Sequence, residues 1–210
     1  GTALVEFEKH LESIIAAKTV DDIFHQLERQ GSVYRIDENV APTKWRCATI
    51  SRREVSELQR IKNVVRMGRI KRIAAETLHV DCPANGLQRR ARQPIFESGK
   101  ITLQSLFMCQ QVFSAAIIAR MEILKLDDAT RNGICEVVPH PEHNKDHPTC
   151  VVASFRNLFK ANKHMLVWLR KSRLNLLHEE TLFDYLTGAL RLKRKMPQAE
   201  AALVRLQSVR

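Results

Sequence analysis

The sequence predicts a mostly helical α+β chain with a small sheet, and three observations carry that expectation. Apolar residues recur at helical spacing at both ends, from Leu4 through Phe7, Leu11 and Ile14, and again from Phe155 through Leu158, Met165 and Leu169. Short extended-looking runs bounded by glycine and proline break that rhythm only in the middle of the chain. The 210 residues are 44% apolar and 27% charged, the composition of a chain that folds around a core.

Leu4, Phe7, Leu11, Ile14 and Ile15 form one face of an amphipathic first helix. Thr19, with Asp22 three residues on, is a capping box for a second helix that buries Ile23, Phe24 and Leu27 and stops at Gly31, so the two pack as a hairpin. Val33 to Ile36 alternates like a short strand, and 37–43 with Pro42 is a loop. Ser51 and Glu54 cap a helix through Val55, Leu58 and Ile61. Residues 64–70 read as strand, turn and strand around Gly68, and Thr77 to Cys82 as a compact strand ended by Pro83 and Gly86. Residues 89–100 are a loop and Ile101 to Leu103 is extended. Gln110 to Leu124 is a helix apolar almost all round, which expects neighbours on more than one side and, without them, an apolar patch to be covered by homo-oligomerisation or by a rearranged fold. Asp127 starts a short helix, and Pro139 to Pro148 is a polar loop. From Thr149 the chain is nearly all helix, with a further helix from about Glu179 and a last one started by Pro197. The organisation expected is a core over 1–148 and a basic helical tail over 149–210.

Composition excludes several functions. There are only 7 glycines, and no two are spaced for a dinucleotide fingerprint or a P-loop. No run approaches the roughly 18 apolar residues of a membrane span, and the N-terminus lacks a leader pattern, which points to a cytoplasmic protein with no membrane partner. Five scattered cysteines, none in C-x-x-C, read as reduced thiols. The start at Gly1 reads as a piece of something longer. The net charge of +11 is uneven: ten Lys and Arg against two acids over 44–72, and twelve against four over 156–210. Such clusters attract polyanions, nucleic acid or an anionic membrane surface, or are solvated helix faces or an interface exposed by truncation.

His140, His143 and His147 lie between Cys135 and Cys150, but prolines interrupt the segment and the spacing fits no zinc finger, so no metal is assigned. In a strand His79 and Cys82 point to opposite faces and form no nucleophile–base pair. Asp21 with Asp22, Asp127 with Asp128 and Glu179 with Glu180 all fall at helix starts, where the dipole accounts for them.

A series of segments carries more information. Residues 21–28, 34–37, 42–50 (PTKWRCATI), 63–70 (NVVRMGRI), 78–87 (LHVDCPANGL), 94–96, 101–104 and 109–118 (CQQVFSAAII), with Asp127 and Asp128 after them, resemble in this order the C-terminal half of bacterial FAD/NAD(P)-dependent oxidoreductases of the pyridine-nucleotide-disulfide type. The resemblance covers about residues 3–135 and is weak over the tail. It implies the back half of a two-domain α/β dinucleotide-binding flavoprotein, with FAD and NAD(P) as the cofactors. It places the loop after the 77–82 strand and the start of the 110–124 helix near the flavin, so Cys82, Asn85, Gly86, Gln104, Gln110 and Gln111 are the candidate cofactor contacts. The glycine-rich turn that holds the FAD pyrophosphate is absent, and Pro83 stands where the family has a small hydroxyl residue. The implied protein is therefore a C-terminal portion, inactive alone, that binds no cofactor by itself and needs an N-terminal FAD-binding region or a separate subunit. The alternative is a non-enzymatic basic helical module for nucleic acid or an acidic protein.

Overall fold

The computed structural model describes residues 3–45, 49–64, 91–141 and 143–208. The expected strands of 64–70 and 77–82, with Cys82, Asn85 and Gly86, therefore lie outside the described residues, apart from Val64, which is in no strand.

The N-terminal hairpin forms as its pattern dictates. α1 (Ala3–Ala16) buries Leu4, Phe7, Leu11 and Ile14. α2 (Val20–Arg29) begins at the Thr19 capping box, in which Thr19 Oγ1 accepts the Asp22 N–H and the Asp22 carboxylate accepts the Thr19 N–H. It ends against Gly31, whose φ of +70° suits glycine. α3 (Arg52–Leu58) repeats the device with Ser51 and Glu54. Two short strands, β1 (Phe96–Glu97) and β2 (Lys100–Ile101), pair antiparallel around Gly99, with Phe96 opposite Ile101. The 89–100 segment is thus half of a small hairpin rather than all loop. Asn132 clamps it: its Oδ1 accepts the Ile95 and Phe96 N–H groups and its Nδ2 donates to Phe96 O.

α4 (Gln111–Glu122) and α5 (Asp128–Ile134) follow, then a 3-10 turn over Asn144–Asp146. α6 (His147–Lys171) is kinked at Met165 and leads to α7 (Leu182–Ser208). α7 runs beside α1 in the same direction. Glu8 pairs with Arg191 and Lys195, Glu12 with Lys195, and Arg205 donates to the carbonyls of Ile15 and Ala17 at the end of α1. Gly188 permits the approach, since a Cβ there would meet Leu4 Cδ1 at 2.6 Å. α6 lies antiparallel to α7, joined by Tyr185 Oη donating to Asn162 Oδ1 and by Arg156 bridging Glu136 and Glu200. One core runs from Leu4 to Leu206, with Phe7, Phe107, Phe113 and Phe155 meeting edge to face at centroid separations of 5.2 to 6.0 Å.

Four expectations are corrected. Residues 33–36 form no strand: they have no strand beside them among the described residues, and Arg35 instead turns back to the Glu28 carboxylate at 2.8 Å and to Glu38 O. Pro197 lies inside α7 and starts nothing. It removes one N–H on the solvent side, while Leu192, Met196, Ala199 and Ala202 stay buried through it, so packing outweighs the local break. The 139–148 loop is not wholly polar surface, because α6 already begins at His147, which is fully buried. Cys109 is disulfide-bonded, whereas Cys135 and Cys150 are free and buried, so the reduced reading holds for those two and fails for Cys109.

α4 buries Phe113, Ser114, Ile117, Ile118 and Met121, but Val112 and Ile123 on its other side are exposed. Its all-round apolar sequence therefore covers one neighbour and leaves one flank open. Among the described residues no helix is long and apolar enough to cross a membrane.

Candidate functional site

The start of α4 is held by buried polar side chains that sequence reading passed over. The chain from Leu103 to Gln110 cannot form regular structure, and Met108 adopts φ +42° at its turn. Three groups fix it there. Ser114 Oγ accepts the Leu106 and Phe107 N–H groups and donates to Gln110 O. Ser154 Oγ accepts the Met108 N–H at 2.7 Å. Asn157 donates to Leu106 O and Glu136 O and accepts the Glu136 N–H. Ser114, Ser154 and Asn157 sit on otherwise apolar helix faces, where a small polar residue awaiting a backbone partner was their only sequence signal.

This scaffold shapes a concavity of about 310 Å³ lined by Leu103, Gln104, Ser105, Gln111 and Ala115. Of the three candidates among the described residues, it brings Gln104 and Gln111 together. Gln110 precedes the helix, and its carbonyl is taken by Ser114. Ser105 Oγ donates to Gln111 Oε1 at 2.9 Å, and Gln104 Nε2 reaches Gln93 O at 3.5 Å. Gln111 Nε2 and Gln104 Oε1 have no partner among the described residues. One free amide donor and one free amide acceptor, beside the exposed Leu103 side chain, suit the edge of a planar heterocycle carrying an imide.

A larger groove of about 650 Å³ runs along α2, lined by Lys18, Asp22, His25, Glu28, Arg29 and Arg35 among others. Its acids are already engaged, Asp22 with the Lys18 and Thr19 amides and Glu28 with Arg35.

Nucleophilic and metal chemistry find little support here. Burial pushes the Cys135 and Cys150 thiols up to about 12, so both stay protonated near neutrality. No three of His, Cys, Asp and Glu converge as a metal site among the described residues. Instead, His147 leaves the set in which its sequence neighbours placed it and meets His10, 137 residues away, with Nε2 2.9 Å from His10 Nδ1. Trp45 and Phe24 stack edgewise on the His147 ring. Burial, opposed by Glu6 and aided by Lys9, pushes His10 down to about 4, and burial with His10 alongside lowers His147 well below its ordinary value.

The basic clusters divide. Arg156, Arg191, Lys195 and Arg205 are engaged within the fold, whereas Lys163, Lys171, Arg173, Lys193 and Arg194 have no partner among the described residues. Of the 44–72 cluster, Lys44, Arg52, Arg53, Arg60 and Lys62 are described; Arg52 lies over the Tyr34 ring and Arg60 pairs with Glu57.

No protein-family model and no solved structure matches the chain. It is similar to uncharacterized proteins of Mycobacterium bovis and of two Mycobacterium tuberculosis strains, each 39% identical over 183 residues, covering 80% of this chain and 34% of the relative. The chain spans about a third of the length of the curated relatives it matches.

Proposed function

We propose that this chain is the C-terminal portion of a FAD/NAD(P)-dependent oxidoreductase and is not catalytic alone. The observation that carries the reading is the convergence of Gln104 and Gln111 on one concavity, with one amide donor and one amide acceptor left free. Those residues fit the imide edge of a flavin. Nothing among the 7 glycines of the sequence fits its pyrophosphate, which needs several backbone amides converging on the phosphates. A bound flavin supplies two-electron transfer with a nicotinamide. This chain's part is to orient the ring: Ser105 holds Gln111 Oε1, which turns Gln111 Nε2 outward, and the Ser114 and Ser154 bonds keep the turn rigid. The relatives are about three times as long as the matched region, which leaves room in them for an FAD-binding region.

The unpartnered Lys163, Lys171, Arg173, Lys193 and Arg194 favour a second reading, a basic module for nucleic acid or an acidic protein. Absorption spectra separate the two. The purified chain should be colourless, and the full-length Mycobacterium tuberculosis relative should carry a flavin band. A colourless relative, with nucleic acid co-purifying with the chain, would overturn the flavoprotein reading in favour of the basic module.

A further inference from the structure

The α6–α7 hairpin turns apolar side chains into water at its tip. Leu176, Leu182, Phe183, Leu186 and Leu190 are 48 to 74% exposed. Phe183, Leu186 and Leu190 stand three and four residues apart and continue to Lys193, so they form one stripe on the side of α7 opposite its buried Tyr185, Gly188, Leu192 and Met196. A stripe of this kind is seldom left bare by a soluble monomer. Its charges are ordered along the helix. Glu179, 86% exposed, and Glu180 precede the stripe, whereas Lys193 and Arg194, exposed and without an ion-pair partner among the described residues, close it.

We infer that this face binds a second copy of the chain, the two α7 helices packing antiparallel about a two-fold axis near position 188. In that register Leu186 meets Leu190 of the second copy, and Phe183 lies on the aliphatic stem of its Lys193. Position 182 stands opposite position 194, so Glu179 and Glu180, in the turn just before α7, lie at the end of the pair that carries the second copy's Lys193 and Arg194. The two-fold makes the arrangement self-complementary, acid end on basic end twice over. A parallel pair would instead set Lys193 and Arg194 against themselves.

Light scattering on the chain should give twice its 24.1 kDa mass. The double substitution Leu186→Glu and Leu190→Glu should give a monomer with unchanged helical signal, since both side chains are about half exposed. Lys193→Glu with Arg194→Glu should weaken dimerisation by roughly tenfold or more. Adding Glu179→Lys and Glu180→Lys to that variant should restore it, which loss of cations alone would not allow. A single-chain mass throughout the micromolar range overturns the proposal, as does a charge-swapped variant that fails to recover. A dimer that survives the leucine changes but is lost on Val112→Glu with Ile123→Glu also overturns it, placing the contact on α4.

Discussion

His10 and His147 share one hydrogen bond in a site closed by Trp45 and Phe24, and His147 Nδ1 is buried without a partner. Burial holds both rings neutral in the fold, because a charged imidazole there would lose its hydration without gaining an acidic partner within hydrogen-bond reach among the described residues. Glu6 and Lys9 are the charged groups that act on His10 from its own helix, and His10 is the titratable neighbour that acts on His147. The unfolded chain binds protons at an ordinary 6.5 and the folded one only near 4 at His10, so the unfolded state holds more protons between those values. Stability is therefore complete above the unfolded value and is lost as pH falls through it. Urea unfolding at pH about 5 against about 7.5 should show a loss of about 2 kcal/mol from His10 alone. Replacing both histidines by Phe should flatten the slope; an unchanged slope would remove this pair as its cause. Nothing local reveals the pair, since 137 residues separate its members and His147 sits among prolines in the sequence.

Elements obey their end signals more faithfully than their interiors. The capping boxes at Thr19 and Ser51 form as the spacing of hydroxyl and acid requires, because both partners lie within one turn. Residues 33–36 have strand-like alternation but no strand to pair with among the described residues, and α7 passes through Pro197 because its buried seam against α1 continues on both sides. That seam depends on a close approach at Gly188. Gly188→Val puts side-chain atoms where Leu4 already stands, and separating the helices should cost about 1 to 3 kcal/mol, read as a lower urea midpoint. An unchanged midpoint would mean that Leu4 can swing aside and that α1 is not held at this position.

The whole molecule is organised around the four edge-to-face phenylalanines, which join α1, the 103–110 turn, α4 and α6. Phe155 touches two of the others and is fully buried. Phe155→Ala should therefore cost about 3 to 5 kcal/mol and lower the midpoint for the whole chain in one transition. A separate transition for α6 and α7 would show that this core does not bind the C-terminal helices to the rest. The candidate site depends on the same organisation. Gln104 and Gln111 were singled out through a family resemblance, but their convergence rests on Ser114, Ser154 and Asn157, which arrive from α4 and α6.

Features of short range are legible from residue order: helix starts at Thr19, Ser51 and Asp127, the stop at Gly31, the amphipathic face of α1, and the lack of a phosphate-holding glycine turn. Each depends on residues within one or two turns, where spacing fixes geometry. Tertiary packing alone puts His147 in the interior, carries α7 through its proline, spends four of the eleven described cations of the C-terminal cluster on α1, Glu136 and Glu200, and sets two glutamines on one concavity. Those outcomes turn on contacts between residues far apart in the chain, whose energies arise only once burial has removed water from both partners.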